Sequence, residues 1–324
     1  PLLSEVTDPR PAREQDMLSK MRMAFIGLLA IGPSSFCAMA SSIEVNGKTL
    51  YFTRNYDSGC VIIQTGPIPY AGEVEIPELE TFQTEDFWPG WLQVEDGTFA
   101  GNADIVRIKA APGVWFELAD CMFEGCANLE EVTGGFNAYN IPRRCFYGCE
   151  KLNMDFAPMN IGEEAFYGCK SLQRIDLSNV SQIERSTFEH CESLTEVSIG
   201  TSCGWTWGGG NILRQRAFAY CRSLQVVTIG ACIQQIESEC FGGTPQLRSF
   251  TVLDDEYATY DESMGGLMIN SAIFNLDELP EEWRHGIEGF EFNAPKWVEI
   301  WDEYNDADSR WEFHVTNGVC EITQ

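Results

Sequence analysis

The chain has 324 residues and a formal net charge of −28, from 21 basic and 49 acidic residues. That length is enough for a substantial core. The acidity weighs against nucleic acid or an anionic membrane as a partner held by general electrostatics, and no stretch approaches the ~20 apolar residues of a spanning helix.

Residues 1–16 contain no methionine and mix charges of both signs, which reads as upstream translation or a fragment edge. From Met17 the pattern is that of a secretory signal. Lys20 and Arg22 supply the positive start, 24–31 the apolar run, and Ala38-Met39-Ala40 a small-x-small cleavage site. Cleavage after Ala40 is expected, and with it a secreted or cell-surface location. An ordinary N-terminal helix is the plainer alternative. Lipid attachment at Cys37 fits less well, because bulky Phe36 precedes it.

Residues 41–98 read as an N-terminal β cap. The run from Ile43 to Leu50 predicts a hairpin with Asn46-Gly47 at a two-residue turn, and Val61–Ile63 and Val74–Ile76 are further strand candidates.

Residues 99–252 carry a repeat. One phenylalanine recurs as Phe99, Phe123, Phe146, Phe166, Phe188, Phe218 and Phe241. Three residues later stands Cys126, Cys149, Cys169, Cys191 or Cys221, replaced by Asn102 in the first unit and Thr244 in the last. Six residues after each Phe comes Ile105, Leu129, Leu152, Leu172, Leu194, Leu224 or Leu247. Fixed apolar anchors at such a period predict stacked units sharing one elongated core, because a single unit cannot bury its own anchors. The segment ending each unit, as in Leu172-x-x-Ile175-x-Leu177, alternates like a short strand, and the Phe-x-x-Cys part suits a helical turn or tight bend. In the third unit Asp155 stands where Val or Ile is expected, between Met154 and Phe156, so a one-residue slip is expected there.

The motif Ile161-Gly162, Ala165-Phe166-x-x-Cys169 and Leu172-x-x-Ile175-x-Leu177, with its counterparts across roughly residues 43–252, resembles the BspA-like leucine-rich repeats. The lead-in Gly72-Glu-Val-Glu-Ile76-Pro77 resembles that family too. The resemblance implies an α/β repeat solenoid: a right-handed coil with one parallel strand per repeat, a β-rich N-terminal cap and a mixed C-terminal cap. It also implies secretion or surface display in host-associated bacteria or protists, and a part in recognition or adhesion. The motif residues themselves serve packing.

Two strand columns are expected to face solvent. One runs Lys109, Thr133, Phe156, Asp176, Ser198, Thr228, Thr251; the other runs Arg107, Glu131, Met154, Arg174, Glu196, Val226, Ser249. Arg107 with Glu131, and Arg174 with Glu196, are expected cross-strand ion pairs. An eight-residue excursion in the period brings Trp205 and Trp207 among glycines, either as exposed anchors or folded over the flank. The candidate binding residues are therefore Trp205, Trp207, Arg107, Glu131, Arg174, Asp176 and Glu196.

The five column cysteines are expected to be buried and reduced, since translation along a stack points their Cβ atoms in one direction. Cys60, Cys203, Cys232 and Cys320 are the better candidates for bridges. The spacings Cys121–Cys126 and Cys145–Cys149 imitate metal ligation, but no histidine cluster completes a site. No cofactor or metal is expected.

Residues 253–324 abandon the period and read as an acidic, Trp-rich C-terminal cap or small module. The run 311–322 predicts a second Asn-Gly hairpin, with His314 opposite Glu321. Lys296 to Tyr304 reads either as a helix face or as a strand. Asp302, Glu303, Asp306 and Asp308 lack the glycine of a calcium loop. Of the three histidines, His190 sits in a variable slot and is expected to be exposed, and none has triad spacing.

These residues favour a non-catalytic recognition protein that binds an extracellular protein or glycan. The alternatives are a hydrolase with its chemistry in residues 253–324 and a passive spacer.

Overall fold

Left-handed backbone, not helix, shapes each repeat. The computed structural model describes residues 41–253 except 68, 203–210 and 231, together with the backbone of strands at 268–270, 291–293, 299–301, 312–316 and 319–323. In all seven units the residue two before the column Phe has positive φ: Gly97, Cys121, Arg144, Glu164, Ser186, Arg216 and Glu239, between 53° and 64°. The residue two after it is left-handed as well, with glycine in five units and His190 and Tyr220 in the other two. A right-handed helix cannot pass through such residues. The α component expected from the Phe-x-x-Cys spacing is thus replaced by consecutive tight turns. Among the described residues the one helical element is a 3-10 turn at Leu79–Phe82.

These turns are ordered by their neighbours. The N–H of Phe99, Phe123, Phe146, Phe166, Phe188 and Phe218 donates to the carbonyl of the residue before the next column Phe, at 2.8–3.1 Å. Successive rings lie parallel within 3–16°, with centroids 5.1–5.5 Å apart. All seven rings are fully buried. Tyr70 lies edge-on to Phe99 at one end and Phe250 edge-on to Phe241 at the other.

The column cysteines have a specific partner. The Sγ of Cys126, Cys149, Cys169, Cys191 and Cys221 donates to the carbonyl of Phe99, Phe123, Phe146, Phe166 and Phe188 respectively, at 3.0–3.2 Å. The thiol is a small buried apolar group that also satisfies a carbonyl of the preceding unit. All five are free, and burial pushes the Cys126 thiol up to about 12. Thiolates are the reactive form. A maleimide added to the native protein is therefore expected to spare these five and to reach Cys121, the one free cysteine among the described residues that is not buried. Mass spectrometry before and after denaturation reads the result; labelling of the column in native protein would contradict it. Cys60 is buried and free rather than bridged, whereas Cys232 is disulfide-bonded. Cys203 and the Cys320 side chain lie outside the described residues.

Strands beside the turns pair in parallel. Gly72–Ile76, Ile105–Ala110 and Glu131–Thr133 form one ladder, joining the lead-in segment directly to the first two units. Glu196–Ile199, Val226–Ile229, Ser249–Val252 and Glu291–Asn293 form a second. Ile212–Leu213, Gln235–Ile236, Met268–Asn270 and Glu299–Trp301 form a third. Two ladders thus run on past Val252, although the sequence period stops there.

Units three and four interrupt the strand face. Phe156, expected to face solvent, is buried between Phe146 and Phe166 at 5.4 and 5.0 Å. Asp155 cannot occupy the apolar interior uncompensated, so Phe156 takes the inward place one residue late. The fourth unit's strand is reduced to a single bridge, Leu177 with Ile199.

Residues 41–98 build an antiparallel hairpin, Ser41–Val45 with Lys48–Asn55, extended by Cys60–Ile63 and then in parallel by Trp91–Val94. Asn46 and Gly47 are both left-handed, at φ 51° and 75°, as a two-residue hairpin turn requires. Phe52 and Phe82 meet edge-to-face at 4.9 Å in this core. Near the C-terminus, Glu312–Thr316 pairs antiparallel with Val319–Thr323, with His314 in register with Glu321.

Candidate recognition surface

On the strand side, Arg107 stands in register with Glu131 and bonds both Glu131 and Glu130, each at 2.9 Å. With Lys151, Asn153 and Ser171 these residues line a shallow cleft of about 460 Å³ to which four consecutive units contribute. The Asn153 N–H donates to the Glu130 carbonyl at 3.2 Å, holding that side chain beside the pair. Lys170 and Glu150 form an exposed pair at 2.7 Å close by. Exposed pairs of this kind contribute little stability, about 0–1 kcal/mol each, so their interest lies in the charge pattern they present.

The second expected pair does not form. Arg174 and Glu196 are both exposed, and neither has an ion-pair partner among the described residues. Leu177 still bridges Ile199 in parallel, so the two positions stay in register, but unit four forms no strand at Arg174 to hold the side chains side by side. Asp176 instead caps its own turn. Its carboxylate accepts the Ser178 N–H at 3.0 Å, and bonds from the Ser178 hydroxyl and amide hold its pKa below the ordinary value. Trp205 and Trp207 lie outside the described residues.

On the turn side stands an arrangement that residue-by-residue reading misses. Arg144 bonds Glu124 of the preceding unit at 2.5 Å and Glu164 of the following one at 2.7 Å, and its guanidinium lies 4.1 Å over the Tyr147 ring. Three units on, the cluster recurs: Arg216 bonds Glu189 at 2.6 Å and Glu239 at 3.0 Å and lies over Tyr220. The signal is visible only with the units aligned. In both cases Glu one after Phe is followed by Arg two before the next Phe and then by Glu two before the one after.

The Arg144 bond, first among several causes, holds the Glu124 carboxyl below its ordinary range. A depressed folded pKa adds stability above the unfolded pKa of ~4.3 and loses it as pH falls through the folded value. Glu124→Gln is therefore expected to lower Tm near neutral pH and to have a shrinking effect below about pH 4. Thermal melts across that range test this; a deficit constant with pH would contradict it.

Between the two arginines runs an aromatic ribbon. Tyr147 and Tyr167 stack at 4.6 Å and 6°, His190 meets Tyr167 edge-on at 5.5 Å, and His190 stacks on Tyr220 at 4.7 Å and 8°. His190 is thus half-buried in a stack rather than exposed. Gly243 gives the Tyr220 ring its place, since a Cβ there would lie 2.7 Å from it. A left-handed non-glycine residue costs roughly 1–2 kcal/mol, and aromatic stacking contributes roughly 0.5–1.5 kcal/mol, so the two nearly offset at His190 and Tyr220. Burial, first, and the Glu189 carboxylate raise the Tyr167 pKa above its ordinary value.

Among the described residues no group of three or more His, Cys, Asp or Glu is placed to hold a metal ion, and no helix is long and apolar enough to cross a membrane. Cys126 and Cys149, of the two metal-like spacings, are committed to Phe carbonyls.

Stacked turn units, parallel strands and, among the described residues, almost no helix define a leucine-rich-repeat protein. The chain belongs to the BspA-type family of these repeats: the profile described as a BspA type Leucine rich repeat region matches in six copies, over residues 92–206 and 159–264. Among solved structures, a leucine-rich repeat protein from Bacteroides ovatus is 17% identical with a TM-score of 0.43, over 78% of this chain and 75% of that one. A T. pallidum leucine-rich repeat protein is 20% identical with a TM-score of 0.36, over 63% of this chain and 81% of that one. A leucine rich cell surface protein from Faecalibacterium prausnitzii is 15% identical with a TM-score of 0.37, over 82% and 96%. None of the curated proteins matches the chain.

Proposed function

We propose that this chain is an exported, non-catalytic recognition protein that binds an extracellular protein or glycan through its repeat surface. Residues 17–40 serve as the leader, 41–98 as an N-terminal cap, 99–252 as a seven-unit right-handed solenoid and 253–324 as the acidic C-terminal cap. Membership of the BspA-type family supports the recognition role, and the leader-like segment supports export.

One observation carries the reading. Four successive units each place polar side chains in one open cleft: Arg107, then Glu130 and Glu131, then Lys151 and Asn153, then Ser171. Packing does not dictate those positions, whereas the inward Phe, Cys and Leu are nearly invariant from unit to unit. An extended surface of this kind suits a macromolecule bound by many modest contacts.

The test is a binding screen of residues 41–324 against extracellular matrix proteins and glycans. The proposal expects a saturable partner whose affinity falls about tenfold or more, roughly 1.4 kcal/mol, in Arg107→Glu/Lys151→Glu with Tm retained. A parallel Trp205→Ala/Trp207→Ala variant tests the insert. Equal affinity in the charge-reversal variant would remove the cleft from the proposal.

A further inference from the structure

The repeat rule is broken at one surface position. Two residues after the column Phe, five units carry left-handed glycine, while units five and six carry His190 at φ 63° and Tyr220 at φ 58°. Glycine serves the turn equally well in the other units, so the two rings are not needed to make it. The rings are additions to the turn, and their stacking nearly offsets the cost of the left-handed backbone that carries them.

The rings join Tyr147 and Tyr167 in a ribbon across four successive units. Their faces are largely covered by one another, and all four residues are half-buried. Three phenol hydroxyls and an imidazole sit along this ribbon with no hydrogen-bond partner among the described residues. The nearest carboxylate, Glu189, lies 3.9 Å from the His190 Nε2, too far for a hydrogen bond. The ribbon therefore offers ring edges for apolar contact and groups that both donate and accept.

Its charge is balanced. Arg144 and Arg216, over the first and last rings, are each matched by two carboxylates. The two arginines that lie against the rings are thus already paired, and the chain as a whole carries −28, which disfavours an anionic ligand.

From this we infer that the ribbon binds a neutral glycan chain, with C–H groups of successive pyranose rings against the aromatic edges and sugar hydroxyls bonded to the tyrosines and His190. The inference rests on the recognition reading, but it uses the turn edge rather than the strand-side cleft.

Isothermal titration of the protein with cellotetraose, chitotetraose and a heparin tetrasaccharide tests it. Binding of at least one neutral tetrasaccharide is expected. His190→Gly/Tyr220→Gly is expected to weaken it about tenfold or more, with Tm near that of the parent. Should that variant fail to fold, Tyr147→Phe/Tyr167→Phe/Tyr220→Phe keeps the stack, removes the hydroxyls and is expected to show the same loss. Binding of heparin alone, of none of the three, or of a neutral tetrasaccharide at parental affinity by the folded variants would overturn the inference. Those outcomes leave the matrix-protein screen and its Arg107/Lys151 variant untouched, so the two proposals fail separately.

Discussion

Phe166→Ala is expected to destabilise the protein by about 3–5 kcal/mol, among the largest losses for a single core truncation. The Phe166 ring stacks on Phe146 at 5.5 Å and Phe188 at 5.3 Å and meets Phe156 edge-on at 5.0 Å. Its removal opens a cavity between two coils whose backbones are pinned by hydrogen bonds on either side: Phe146 to Ala165 at 2.8 Å and Phe166 to Thr187 at 2.9 Å. Those bonds resist the collapse that would refill the space, which places the cost at the high end for such substitutions. Phe166→Leu keeps much of the volume and is expected to cost clearly less. Denaturant unfolding of the two variants reads the difference. A loss below about 1 kcal/mol for the alanine variant would mean that the ring does not sit in a closed column.

Arg216→Ala is expected to cost a similar amount, about 3–5 kcal/mol, for a different reason. The Glu189 side chain is only 5% exposed, and Arg216 bonds it through Nη2 at 2.6 Å and Nε at 3.2 Å. Without the guanidinium a buried carboxylate is left beside the Tyr167 ring, with the His190 imidazole, 3.9 Å away, as its remaining basic neighbour among the described residues. The penalty is that of an orphaned charge, not the net worth of the pair. The double variant Glu189→Gln/Arg216→Met should therefore recover most of the loss. Arg144→Ala, whose Glu124 and Glu164 side chains are 31% and 30% exposed, should cost much less. Equal losses at the two arginines, or no recovery in the double variant, would contradict the assignment.

The Phe column and the strands beside it were legible because the same side chains recur at the same offsets, and burial against a neighbouring unit is the one arrangement that satisfies all of them. The turns were not. Cys121, Arg144, Glu164, Ser186, Arg216 and Glu239 carry positive φ without being glycine, so nothing in their identity advertises a left-handed backbone. Neighbouring units impose it through hydrogen bonds between coils, such as Arg144 N to Glu163 O at 3.0 Å and Glu164 N to Arg185 O at 3.1 Å.

The arginine clusters were hidden for a related reason: their partners lie 20 to 27 residues away. Arg107 with Glu131 was readable because both stand at one strand position of adjacent units. Arg174 with Glu196 failed because unit four forms no strand at Arg174, although Leu177 keeps its bridge to Ile199. Past Val252 the Phe-Cys-Leu signature disappears although the ladders continue. Ile236, Ile269 and Ile300 still share one register position, as do Phe250 and Phe292, a weaker trace than the full motif.

The central claim is that one unbroken internal row of aromatic rings joins all seven units. Nuclear Overhauser contacts between ring protons, in protein labelled only at phenylalanine, test it most directly. The predicted spectrum links 99 to 123, 123 to 146, 146 to 166, 166 to 188, 188 to 218 and 218 to 241, each ring to its sequential neighbours within the row. Rings of distant units in mutual contact, or sequential rings without contact, would contradict it.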